Sequence, residues 1–179
     1  MMPLIPCIPV SGRRGDLRSG RTEYSKDGFR LLDEVPVKEA LTSAYSATDK
    51  GDPIAILDAD AFRKKFLNAD VVKEIRIKGR ELWLITYVEN VDDVIDGMCG
   101  AYDRICIPTH TADDDTFLES ADISDSVIPV VFVTKDGIAL SDVSIESEKE
   151  RMSALGFREF LVLNMDDVTL DHRIIADDN

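Results

Sequence analysis

The chain has 179 residues, a net charge of −14 and a sequence pI near 4.5. That length suits one domain with a sizeable core, and such acidity excludes the basic footprint that non-specific nucleic-acid binding needs. The longest purely apolar run, residues 127–133, is far short of the ~20 residues of a membrane helix; the apolar N-terminus is broken by Pro3, Pro6 and Pro9 and has no basic leader, so a cytoplasmic protein is expected.

Residues 4–10 read as a first strand, with prolines at positions a strand start or edge tolerates. Residues 11–30 read as a long basic loop. Five of the twelve arginines fall here (Arg13, Arg14, Arg18, Arg21 and Arg30), among the turn-forming glycines Gly12, Gly15, Gly20 and Gly28. A helix is expected over 36–48, with Pro36 near its first turn, and a second strand over 53–57 that runs into Asp58-Ala59-Asp60. A helix over 62–77, interrupted near Asn68, leads to a third strand at 81–88.

Asn90 should cap the next helix, where Asp92 and Asp93 favour the dipole of the first turn. Residues 104–107 form a fourth strand ending Pro108-Thr109-His110, and Asp113-Asp114-Asp115 opens a short helix. The continuous apolar run 127–133 is the signature of a strand covered on both faces. Lys135-Asp136-Gly137 is a turn, Ser144 caps a helix that Gly156 stops, and residues 159–163 make a sixth strand. A short polar tail, 168–179, follows, with Ile174-Ile175 as the stub of a seventh strand. Strand and helix alternation of this kind predicts an α/β fold: a parallel (β/α) barrel, incomplete at about six of eight units, since the full barrel takes about 250 residues. No linker divides the chain, so 1–179 is expected to be one domain. Cys7, Cys99 and Cys106 lack metal-type spacing and read as reduced, buried thiols.

Several segments resemble the ProFAR isomerase family of histidine biosynthesis, a ribulose-phosphate-binding barrel, and more closely its archaeal ProFAR-isomerase-related proteins. Ile5-Pro6-Cys7-Ile8 is similar to the family's first strand, and residues 15–24, Gly-Asp-Leu-Arg-Ser-Gly-Arg-Thr-Glu-Tyr, to the G-x-R-x-E-Y loop of the related proteins. Pro36-Val37-Lys38-Glu39-Ala40, Leu57-Asp58-Ala59-Asp60-Ala61, residues 102–109 and Lys135-Asp136-Gly137 resemble its first helix, second strand, fourth strand and the turn after the fifth. The likeness spans about 4–168. The family's catalytic aspartates fall on Pro9 and Val133, which cannot move a proton. Its glycine loop falls on residues 85–89, and the glycine of its phosphate turn on Pro108, which has no N–H to donate. The resemblance therefore implies a ribulose-phosphate-binding barrel that has lost the isomerase activity, with archaeal cofactor metabolism as its setting.

In such a barrel the functional groups lie at the C-terminal strand ends. Asp58 and Asp60, two apart, could both face the mouth and do acid–base work with Lys135. The leading expectation is a binder of a small phosphorylated or anionic metabolite. Arg13, Arg14, Arg18 and Arg21 would fork onto the anion, with Thr109 and His110 beside it. Any reaction would be isomerase or lyase chemistry on a sugar phosphate, and no cofactor is called for. A non-catalytic regulatory or subunit protein is the competing reading. An acidic rim of Asp58, Asp60, Glu89, Asn164, Asp166 and Asp167, with the His110 imidazole, holding Mg²⁺ or Mn²⁺ is the third, although no metal ligand set is assigned. Because an open barrel exposes strand edges and apolar interior, either the tail or the partner of a homodimer should cover the gap.

Overall fold

A computed structural model describes residues 4–175. Pro3 and the last four residues of the expected polar tail lie outside them. Six parallel strands form the middle of one sheet: β1 (Cys7–Arg13), β4 (Ile54–Asp58), β5 (Leu82–Ile85), β6 (Arg104–Pro108), β7 (Val127–Val133) and β8 (Glu159–Asn164). Their connections carry α2 (Ala61–Lys64), α3 (Ala69–Glu74), α4 (Val91–Gly97), α5 (Asp114–Ile123) and α6 (Ile145–Ala154). Parallel pairing requires such crossovers.

The expected incomplete (β/α) barrel is nevertheless not the fold. Three further strands run antiparallel: β2 (Asp16–Ser25) and β3 (Gly28–Pro36) beyond β1, and β9 (Thr169–Ile174) beyond β8. The result is a nine-stranded mixed sheet in the order β3-β2-β1-β4-β5-β6-β7-β8-β9, curled into a half-barrel. The residues expected to form a basic loop are an antiparallel ribbon. Its first turn pairs Arg13 with Asp16 across Arg14-Gly15, where Gly15 takes a φ of 80°, the left-handed conformation a two-residue hairpin turn demands. α1 (Val37–Ala47) follows the ribbon, close to the expected helix.

The two sheet faces bury different cores. Along β4 the side chains alternate: Ile54 and Ile56 face the helices with Val71, Val94, Phe117 and Met152, whereas Ala55 and Leu57 face the concave side with Ile85, Cys106, Val130, Phe132 and Leu163. Each fully buried Leu, Ile or Phe contributes about 1.5–3 kcal/mol. β7, buried at every position, serves both cores.

Two contacts fix the curl. Phe29 of β3 meets Phe132 of β7, six places away in sheet order. At the other end, the Ile5 N–H donates to the Leu170 carbonyl at 3.0 Å, joining β9 to the chain just before β1. β9 also covers the edge of β8, so part of the expected tail is the element that shields it. Among the described residues no helix is long and apolar enough to cross a membrane.

Candidate functional site

The end of β4 brings its two aspartates to different surroundings. Asp58 continues the alternation of Ile54 and Ile56, and therefore points to the helix side rather than into the concave mouth. It has no exposed surface. Its Oδ2 accepts from the Asn68 N–H at 2.7 Å and from the Thr86 hydroxyl at 2.9 Å, while its Oδ1 has no hydrogen-bond partner among the described residues. Burial pushes its carboxyl up to about 7, against the two hydrogen bonds that favour the charged form and with nearby Asp60 adding to the rise.

Asp60, past the strand end, is a fastener for the β1–β2 turn. It accepts from the Ser11 hydroxyl at 2.7 Å, the Gly12 N–H at 2.9 Å and the Asn68 side chain at 3.3 Å. Gly12 is required there: at φ 113° an added Cβ would stand 2.5 Å from the Asp16 carbonyl. Asn68, whose side chain also donates to the Gly12 carbonyl at 2.8 Å, joins both aspartates to the turn.

Lys135 is not brought to this pair. It stands exposed in the turn after β7, three strands from β4. Thr109 is buried at the end of β6, its N–H on the Val130 carbonyl and its own carbonyl accepting from Arg151.

His110 joins an aromatic plug that fills the mouth. Its ring lies 4.9 Å from Phe132 and stacks on Phe62 at 6.3 Å; Phe62 in turn contacts Phe29 and Tyr87, and Phe29 contacts Tyr24. Burial pulls the His110 imidazole down to about 4, and its Nδ1 has no hydrogen-bond partner among the described residues. It is therefore a neutral ring in an apolar cage.

The arginines of the ribbon divide. Arg21 pairs with Asp33, Arg30 with Glu23, and Arg14 approaches Glu74 at 3.9 Å, each on an exposed surface. Arg13 and Arg18 instead border a groove of about 380 Å³ with Arg63 and Lys64, and with three carboxylates, Asp16, Glu34 and Asp60. Arg63 lies 3.7 Å from Asp60, and Arg18 4.0 Å from Asp16. Arg13 and Lys64 make no ion pair among the described residues. Arg63 and Lys64 were not singled out from the sequence. The signal for them was the run Arg63-Lys64-Lys65 just beyond a strand end, where rim residues are expected.

At the opposite end of the concave face a polar cluster forms. Arg104 stacks on the Trp83 ring at 4.9 Å and pairs with Glu159, which also binds His172 Nε2 at 2.8 Å. Burial alone would raise the Glu159 carboxyl, but the hydrogen bonds from Arg104 and His172 hold it below its usual range.

The thiols also differ. Cys106 is buried, Cys7 half-buried and Cys99 exposed, which corrects the expectation of three buried thiols. Among the described residues no three or more His, Cys, Asp or Glu side chains are grouped to hold a metal, so the acidic rim assembles no ligand set. Compared with known proteins, the chain matches no family model and no characterised protein by sequence.

Proposed function

We propose that the chain is a binding protein for a small phosphorylated or otherwise anionic molecule, seated in the groove between the β1–β2 turn and α2, and that it performs no chemistry on that molecule. One observation carries the reading. In a chain of net charge −14, four cations, Arg13, Arg18, Arg63 and Lys64, border one groove, and Arg13 and Lys64 have no carboxylate partner among the described residues. Four cations against the three carboxylates Asp16, Glu34 and Asp60 leave the groove a positive balance in an acidic protein, and guanidinium groups fork onto phosphate.

The absence of chemistry follows from placement. Asp58 is buried and does not border the groove, Lys135 is three strands distant, and aromatic rings fill the mouth.

Thermal unfolding with inorganic phosphate, sulfate and ribose 5-phosphate tests this. Ligand at about 100 times Kd adds roughly 2.7 kcal/mol, or several degrees for a domain of this size. An Arg13→Ala, Lys64→Ala variant should lose the shift. If no anion moves the wild-type melting temperature, the reading is wrong.

A second reading, action through protein–protein contacts, is favoured by the scatter of Arg14, Arg21 and Arg30 over the exposed ribbon. A melting temperature indifferent to every anion, with a stable second copy or partner in sedimentation, would select it.

A further inference from the structure

Asp58 is a fully buried carboxyl with one oxygen bonded twice and the other not at all. An unpartnered buried oxygen is tolerable on a neutral acid and costly on an anion. The groups that face it relieve that cost only in part, because burial outweighs the donors among them. Asp60 follows it from the same strand end and repels a second charge. From β5 comes the Thr86 hydroxyl, from the start of α3 the Asn68 amide, and from α2 the Ala61 amide. The Tyr102 phenol, on the segment before β6, is near enough to feel the charge, but its hydroxyl donates to the Val71 carbonyl at 2.9 Å. Arg63 of α2 is engaged with Asp60.

Ionisation of Asp58 therefore calls for a further donor, such as water, at Oδ1, and the 61–68 segment stands beside it through the Ala61 and Asn68 amides. That segment ends in Asn68, and Asn68 ties Asp58, Asp60 and the Gly12 carbonyl into one knot.

We infer that Asp58 is a proton-operated latch: protonated, it locks the end of β4, the 61–68 segment and the β1–β2 turn together; ionised, it lets that segment and the turn part. Burial places the event in the neutral range. The latch needs no ligand. Because Ser11, Gly12 and Arg13 sit on the turn it holds, it would also set the shape of the groove, and that consequence alone rests on the binding reading.

Amide hydrogen exchange of the ligand-free protein at pH 6 and pH 8, corrected for intrinsic rates, tests the latch. Protection at residues 11–15 and 58–70 should fall roughly tenfold or more at pH 8, while β6–β8 hold. Asp58→Asn, which keeps the shape of the neutral acid, should stay protected at both values. Thr86→Val, which removes one donor to the ionised form, should keep the latch and move its transition to higher pH. Wild-type protection equal at the two pH values, or an Asp58→Asn variant with the wild-type pH dependence, overturns the inference. Sulfate, which does not titrate near neutrality, is then added at both pH values. If it fails to bind while the exchange pattern holds, the groove reading falls and the latch stands.

Discussion

The ring of Phe62, at the start of α2, lies 5.1 Å from the ring of Phe132, near the C-terminal end of β7. With Phe29 edge-on to both, this contact closes the end of the half-barrel at which (β/α) barrels keep their active sites. Phe29 is carried by an antiparallel ribbon that a (β/α) barrel does not have. The ribbon thus replaces a substrate opening with a core.

Removing that ring should be expensive. Phe29 is 7% exposed and touches Tyr24, Phe62 and Phe132. Phe29→Ala is expected to lower the unfolding free energy by about 3–5 kcal/mol, with most of the loss due to the cavity. Urea unfolding measures it, and a loss below about 1 kcal/mol would mean that the ribbon is not part of the cooperative core.

Stability against pH should carry the mark of Asp58. Its folded value is raised to about 7, so the folded state holds a proton that the unfolded state releases near the ordinary carboxylate value. The contribution is fully present below about pH 4 and is lost as pH rises through 7. The loss is of the order of 4 kcal/mol before the relaxation that admits water is counted. Asp58→Asn should therefore gain several degrees of melting temperature over the wild type at pH 8 and little at pH 5. Melting curves of the pair across that range check it; a constant difference would contradict the raised value.

How much of this was legible in the sequence depended on burial. The six parallel strands stood out because a strand covered on both faces must be apolar throughout, as Val127–Val133 is. β2 and β9 were obscured because each has a wet face: β9 buries Leu170 while its other positions stay partly or fully exposed. The ribbon's signal was two short alternating runs with two-residue gaps at Arg14-Gly15 and Lys26-Asp27. Five arginines masked it by making the segment read as a loop. Asp58 and Asp60 were legible as a pair, but the face on which Asp58 falls depends on which side of the sheet the helices cover, and that is a tertiary fact. Arg104 and His172 gave no sign of meeting, since their shared partner Glu159 is 55 residues from one and 13 from the other.

The thiols should react in an order set by exposure. Cys99, at the surface beyond α4, is expected to react with an aromatic disulfide reagent at the rate of a free thiol. Burial pushes Cys7 up to about 12 and raises Cys106 further, so neither carries appreciable thiolate at neutral pH. One thiol per chain should titrate quickly in the folded protein and three after denaturation. A fast second thiol would mean that the seam beside Cys7 opens in solution.

Glu159 should act with the opposite sign to Asp58, and on the acid side. Its carboxyl is held low in the folded state by Arg104 and His172. Its contribution is therefore present above the ordinary glutamate value and is lost as pH falls through the depressed folded value. Glu159→Gln also leaves the Arg104 guanidinium, 17% exposed and lying over Trp83, without its counter-charge. The expected cost at pH 7 is about 1–3 kcal/mol. Arg104→Met, which keeps a side chain over the indole but removes the cation, should cost less than Glu159→Gln if the unpaired guanidinium is what destabilises. Because the double variant Arg104→Met, Glu159→Gln leaves no unpaired charge, it should recover part of the loss in a double-mutant cycle by urea unfolding. Strict additivity of the two single changes would show that the pair, though in contact, contributes nothing as a pair.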